Sequence, residues 1–151
     1  MEKKKVIVSL CRVFPKGHRN AGEETDFKAK VKDGRKIHTI RSNGNDVWTK
    51  RCIDINEGRK YLSLRQWTGR PYNSVQEEIA KVEKIGIQKV TMTYSSGDAL
   101  PQIWIDGKTQ DIETVAKNDG MTVEEFADWF FGSRKENYFE GVVIQFTDFK
   151  Y

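Results

Sequence analysis

The chain has 151 residues, 37% hydrophobic and 32% charged, with eight Phe, five Tyr and four Trp. So many aromatic side chains exclude a disordered polymer, and the length suffices for a single domain, residues 1–151, with its own core. The formal net charge of +4 is unevenly spread: residues 1–74 carry 18 Lys and Arg against 8 Asp and Glu, and residues 75–151 carry 8 against 14. A side that faces a polyanion and a pair of interleaved, solvated surfaces both fit that asymmetry.

No apolar run approaches the roughly 20 residues of a membrane span, so no membrane partner is expected. The apolar run in "MEKKKVIVSLC" is too short for a secretory signal. Cys11 and Cys52 stand far apart and outside metal or redox spacings, as expected of reduced thiols in a cytoplasmic protein.

In chain order, the β-branched run Val6 to Leu10 predicts a strand. The Gly-, Pro- and Asn-rich stretch "FPKGHRNAGEE" predicts a loop. "TDFKAKVKDG" predicts a short helix with Thr25 as N-cap, Phe27 and Val31 on one face, and Gly34 as its stop. "KIHTIR" reads as a strand. "NDVWTKRCIDINEG" reads as a helix with Trp48, Cys52 and Ile55 as its buried stripe and Gly58 at its end. "KYLSLRQW" alternates, with Leu62 and Leu64 facing one way and Tyr61, Ser63, Arg65 and Trp67 the other. "TGRPY" turns the chain, and "EEIAKVEKI" fits either strand or helix. "IQKVTMTY" and "QIWIDGK" predict strands, the second closing on an Asp-Gly turn. "DIETVAKN" and "VEEFADWFF" predict helices, with Thr122 and Glu125 spaced as a capping box. "GVVIQFTDF" predicts a final strand with Val142, Ile144 and Phe146 inward. Many short strands with few crossover helices point to a mixed or antiparallel barrel-like sheet.

The densest polar segment is "DGRKIHTIRSNG". Strand parity puts Ile37, Thr39 and Arg41 on one face and His38 and Ile40 on the other. Lys36 and Thr39 converge only if the chain bends at the strand's start. The alternative is that Arg35 and Lys36 are solvated ends and Arg41 an ion-pair partner. "LRQWTGRPY" interleaves Arg65 and Arg70 with Trp67 and Tyr72, a mixture that suits phosphates and stacked bases, or equally a core Trp beside a solvated turn. His18 and His38 with the two cysteines lack the tight ligand spacing of a zinc site. The helix pair near Gly120 has helix-turn-helix spacing, but its second helix offers Glu124, Glu125 and Asp128 where phosphates would sit, which excludes that reading. Asp119 stands just before that capped helix, whose positive end favours its ionised form.

The segment "FKAKVKDGRKIHTIRSN" resembles the signature of the ASCH family, small domains of the PUA-like superfamily linked to RNA and modified nucleosides. "NDGMTVEEF" and "YFEGVVIQF" extend the likeness towards the chain's end. The resemblance implies an α+β fold: a PUA-like mixed or antiparallel β-barrel with short peripheral helices. It also implies binding of RNA or a modified nucleoside or nucleotide in a basic cleft. Arg35, Arg41, Arg65 and Arg70 would hold phosphates there, and Trp67 or Tyr72 would stack a base. The alternative it implies is a metal-independent amidohydrolase acting on acetylcytidine-like nucleosides, as in small bacterial ASCH enzymes. Lys36 would then activate Thr39, and Asp119 would stand where those enzymes carry Glu. Neither reading calls for a cofactor or a metal.

Overall fold

The computed structural model describes residues 3–132 and 137–151. The elements run β1 (Lys4–Ser9), α1 (Phe27–Lys32), β2 (His38–Arg41), α2 (Val47–Asn56), β3 (Lys60–Trp67), β4 (Gln76–Val82), β5 (Gly86–Thr93), β6 (Gln102–Ile105), β7 (Lys108–Gln110), α3 (Ile112–Asn118), α4 (Val123–Phe131) and β8 (Tyr138–Gln145). A single 3-10 turn, Gly44–Asp46, leads into α2. The segment that fitted either strand or helix is strand β4. The "QIWIDGK" stretch is a two-strand hairpin, β6–β7, turned by Asp106 and Gly107 in left-handed conformations.

The expected closed barrel is not what forms. The strands make two open sheets, one in the order β1-β3-β4 and one in the order β2-β8-β5-β6-β7. In the first, β1 lies parallel to β3 and β4 lies antiparallel to it; every pairing in the second is antiparallel. The reason is visible where the sheets approach one another. At the end of β1 the Ser9 carbonyl accepts from the Arg41 guanidinium at 3.0 Å, so a side chain, and no backbone ladder, joins β1 to the end of β2. The next residue's amide, Leu10 N–H, donates back to Arg65 of β3. The architecture is therefore α+β with two open sheets, and the PUA-like barrel is corrected.

One core lies between the sheets and their helices. Leu62, Leu64, Val90, Ile105, Val115, Phe126 and Ile144 are fully buried, each contributing about 1.5–3 kcal/mol relative to exposure. Strand β3 departs from simple alternation, because Tyr61 to Leu64 are all buried. It is the central strand of its sheet, and α2 packs against it. Strand β8 is likewise buried from Gly141 to Gln145, since it sits inside the five-stranded sheet between β2 and β5. Gly141 is required there: a Cβ would lie 2.3 Å from the Arg41 carbonyl oxygen.

Thr25 is not the N-cap of α1. Asp26 takes that place with φ 58°, while the Thr25 hydroxyl donates to the Cys11 carbonyl at 2.7 Å. The capping box at Thr122 and Glu125 forms as expected. The loop after β1 is pinned by His18, which stacks on Phe14 and donates Nε2–H to the Glu125 carbonyl at 2.9 Å; its Nδ1 accepts from the Asn20 amide.

Candidate functional site

The polar segment does bend at its start. Lys36 lies outside β2 and forms an isolated antiparallel bridge with Asp119, the C-cap residue of α3. Three main-chain hydrogen bonds hold the bend: Lys36 N–H to Lys30, Ile37 N–H to Asn118, and Phe146 N–H to Ile37. Gly120, with φ 81°, allows the close approach, since a Cβ there would meet the Lys36 side chain at 3.1 Å.

This brings a charged cluster into the interior. The Lys36 ammonium donates to the Asp119 carbonyl at 2.8 Å and to its carboxylate at 3.1 Å, and it stands 4.3 Å over the Phe27 ring. His38, fully buried, places Nδ1 3.1 Å from the same carboxylate oxygen and Nε2 2.6 Å from the Tyr151 hydroxyl. Burial pushes the Lys36 amine below its ordinary value, and Asp119 offsets this only in part. Burial acts on Asp119 in the opposite sense, raising it. The Lys36 charge and the hydrogen bonds from His38 and Lys36 outweigh that, so its carboxyl sits below the ordinary carboxylate value.

Lys36, Thr39 and Asp119 line one small hollow of about 20 Å³, with Leu10, Cys11 and Arg41. That volume admits about one water molecule. The Thr39 hydroxyl accepts from the Arg41 guanidinium at 2.9 Å, and Lys36 spends its hydrogen bonds on Asp119. Arg41 also donates to the Ile40 and Ser9 carbonyls, and among the described residues it makes no ion pair.

The remaining predicted residues fall in different places. Arg35 is exposed and paired with Asp33 at 2.7 Å. Arg65 donates to the Ser63 hydroxyl on β3 and stands 3.9 Å from Glu78. Trp67, Arg70 and Tyr72 do come together, in a cleft of about 500 Å³ walled also by Ser9, Leu10, Cys11, Arg12 and Pro71. Ser9 to Arg12 were not singled out in the sequence. They follow a strand end with no local sign of a ligand, and only the packing of the β3–β4 turn against them makes a wall. Leu10 and Cys11 line the cleft on one side and the small hollow on the other. Two further cluster members, His38 and Tyr151, were also not assigned. Parity put His38 on the face opposite Thr39, and Tyr151 is 113 residues away from it in sequence.

Comparisons with protein-family models, with curated proteins and with solved structures find no match for this chain. The ASCH resemblance, with its barrel, is overturned by the two open sheets. The readings that rested on it fall too. The arginines expected to form one basic RNA- or nucleoside-binding cleft are dispersed, Arg35 and Arg65 being turned to carboxylates elsewhere. The amidohydrolase arrangement is also absent. It needs an amine free to take the Thr39 proton, whereas Lys36 donates to Asp119 and Thr39 takes its hydrogen bond from Arg41. Among the described residues no group of three His, Cys, Asp or Glu side chains is placed to hold a metal ion. No helix there is long and apolar enough to cross a membrane.

Proposed function

We propose that the protein binds a small organic anion with a flat apolar body, seated in the cleft between the Ser9–Arg12 segment and the β3–β4 turn. The observation that carries this is the cleft's lining: two arginines, two aromatic rings, two prolines and no Asp or Glu. Its volume falls in the range of small-molecule sites, which are mainly apolar with a few placed polar groups. The Trp67 and Tyr72 rings lie 5.1 Å apart and offer apolar faces. The Arg12 guanidinium is paired with Glu24 at 3.5 Å, whereas the Arg70 side chain is exposed and makes no hydrogen bond or ion pair among the described residues, so Arg70 is the guanidinium open to a carboxylate or phosphate oxygen. Arg41 stands behind the wall, bonded to the Ser9 carbonyl, and adds positive potential; among the described residues no carboxylate forms an ion pair with it.

Calorimetric titration with 2-naphthoate, 2-naphthyl phosphate and neutral 2-naphthalenemethanol tests the reading. One or both anions are expected to bind at least about tenfold tighter than the alcohol, a difference of about 1.4 kcal/mol. Arg70→Gln and Trp67→Ala should each weaken binding about fivefold or more. The ratio of carboxylate to phosphate affinity identifies the preferred head group. Equal binding of the alcohol, or binding indifferent to both substitutions, would overturn the proposal.

A further inference from the structure

Strand β1 pairs with β3 on one side, and among the described residues its other side carries no strand. The parallel register fixes which groups face each way. In such a pair one residue directs both its N–H and its C=O to the partner, and the next directs both away. Leu10 N–H donates to Arg65 of β3, so Val6, Val8 and Leu10 serve that ladder. Lys5, Ile7 and Ser9 therefore direct their main-chain groups outward. The Ser9 carbonyl is taken by Arg41 at 3.0 Å. The N–H and C=O of Lys5 and Ile7 meet no partner among the described residues.

The side chains follow the same alternation. Val6 and Val8 are buried in the core, whereas Lys5 and Ile7 are exposed, Ile7 by 48%. An open edge with a β-branched apolar side chain beside it is a template for one more strand. The charge on β1 says which kind. Lys4 and Lys5 are exposed and make no ion pair among the described residues, while their neighbours Lys3 and Lys60 are paired with Glu83 and Asp54. Two copies of β1 side by side would double the unpaired ammonium charge on one short ladder, which disfavours a second copy. A strand bearing carboxylates at that end is attracted instead.

We propose that β1 is a docking edge for an extended acidic peptide of a partner protein, which adds a strand antiparallel to β1 with its carboxylates beside Lys4 and Lys5. The antiparallel sense is chosen because that ladder is slightly more stable per residue. Main-chain hydrogen bonds to Lys5 and Ile7 supply the affinity, Ile7 covers an apolar residue opposite it, and the two lysines select the sign of the charge. The inference concerns the edge of β1 and holds whether or not the cleft takes an anion.

Fluorescence anisotropy with fluorescein-labelled Thr-Val-Thr-Val-Glu-Glu-amide tests it on the full chain, beside the same peptide ending in Lys-Lys. The acidic peptide should bind saturably and at least about fivefold tighter than the basic one. Ile7→Pro deletes an outward N–H and spares the ladder with β3, so it should weaken binding about tenfold while the chain stays folded. Hydrogen exchange adds a second readout: the Lys5 and Ile7 amides should gain protection on binding, the Val6 and Val8 amides being protected already. If Ile7→Pro does not fold, the double variant Lys4→Glu with Lys5→Glu should reverse the preference between the two peptides. Equal binding of both peptides, unchanged affinity in folded Ile7→Pro, or no gain of protection at Lys5 and Ile7 would overturn the proposal. So would a dimer of this chain that Ile7→Pro abolishes with no peptide bound, since the edge then belongs to a second copy.

Discussion

Lys36 donates to both the main-chain carbonyl and the side-chain carboxylate of Asp119, a residue 83 positions away, and both partners are almost wholly buried. One bridge thereby ties the end of α3 to the bend before β2. A pair of this kind costs desolvation on both sides, and breaking it by halves is worse than removing it whole.

Lys36→Met should therefore destabilise the protein by about 3–5 kcal/mol, since it leaves the Asp119 charge without its main partner. Adding Asp119→Asn should recover a large part of that loss, giving a coupling on the order of 1–3 kcal/mol. Denaturant unfolding of the two single variants and the double one measures it; strictly additive losses would contradict the buried pair.

The same pair gives stability a predictable dependence on pH. Asp119 is held below its ordinary value of 3.8 in the fold, so the folded state binds fewer protons than the unfolded one just under that value. Its contribution is complete above about pH 3.8 and is lost as pH falls through the folded value. Lys36 is also held below its ordinary value, 10.5. Its burial cost is present at neutral pH and is relieved as pH rises through the folded value towards 10.5. Urea midpoints of the native chain and Asp119→Asn should converge below about pH 3.8. A constant gap from pH 6 to 2.5 would show that the carboxylate is not involved.

Tyr72 separates binding from stability. It is 87% exposed and holds a left-handed backbone, φ 64°, a conformation that costs a non-glycine residue roughly 1–2 kcal/mol. Tyr72→Gly should raise stability by up to about 1 kcal/mol while weakening binding of an aromatic anion, because strain is relieved and one wall of the cleft is lost. Thermal unfolding and calorimetry on the same sample decide it, and unchanged affinity would remove Tyr72 from the site.

Gly141→Ala tests the contact between β2 and β8. The added methyl would overlap the Arg41 carbonyl, which is rigid backbone, so a loss of about 2 kcal/mol or more is expected. Because the displaced residue is Arg41, the cleft's affinity for an anion should fall with it. A neutral effect on unfolding would mean that the two strands can part at no cost.

Much of the secondary structure was legible because its causes are local. The capping box at Thr122 and Glu125 is written in a four-residue spacing, and the Leu62–Leu64 repeat marks β3 wherever that strand goes. The Asp106–Gly107 turn is equally local. Thr25 misled by one residue: its hydroxyl donates to the Cys11 carbonyl across the loop and still accepts from the Phe27 amide, but the left-handed Asp26 stands between it and the helix as the N-cap. The barrel misled because strand count and strand length do not say which edges meet. That depended on Arg41 reaching Ser9 and on Leu10 turning back to Arg65.

The sequence by itself determined an aromatic-rich chain, most of its helices and strands, and the gathering of Lys36, His38, Thr39 and Arg41 into one short polar run. Only the tertiary structure decided what those groups face. Asp119 and Tyr151 reach His38 from 81 and 113 residues away, and hydrogen bonds of that range leave no periodic trace in a sequence, because their geometry is set by how the two sheets and α3 pack.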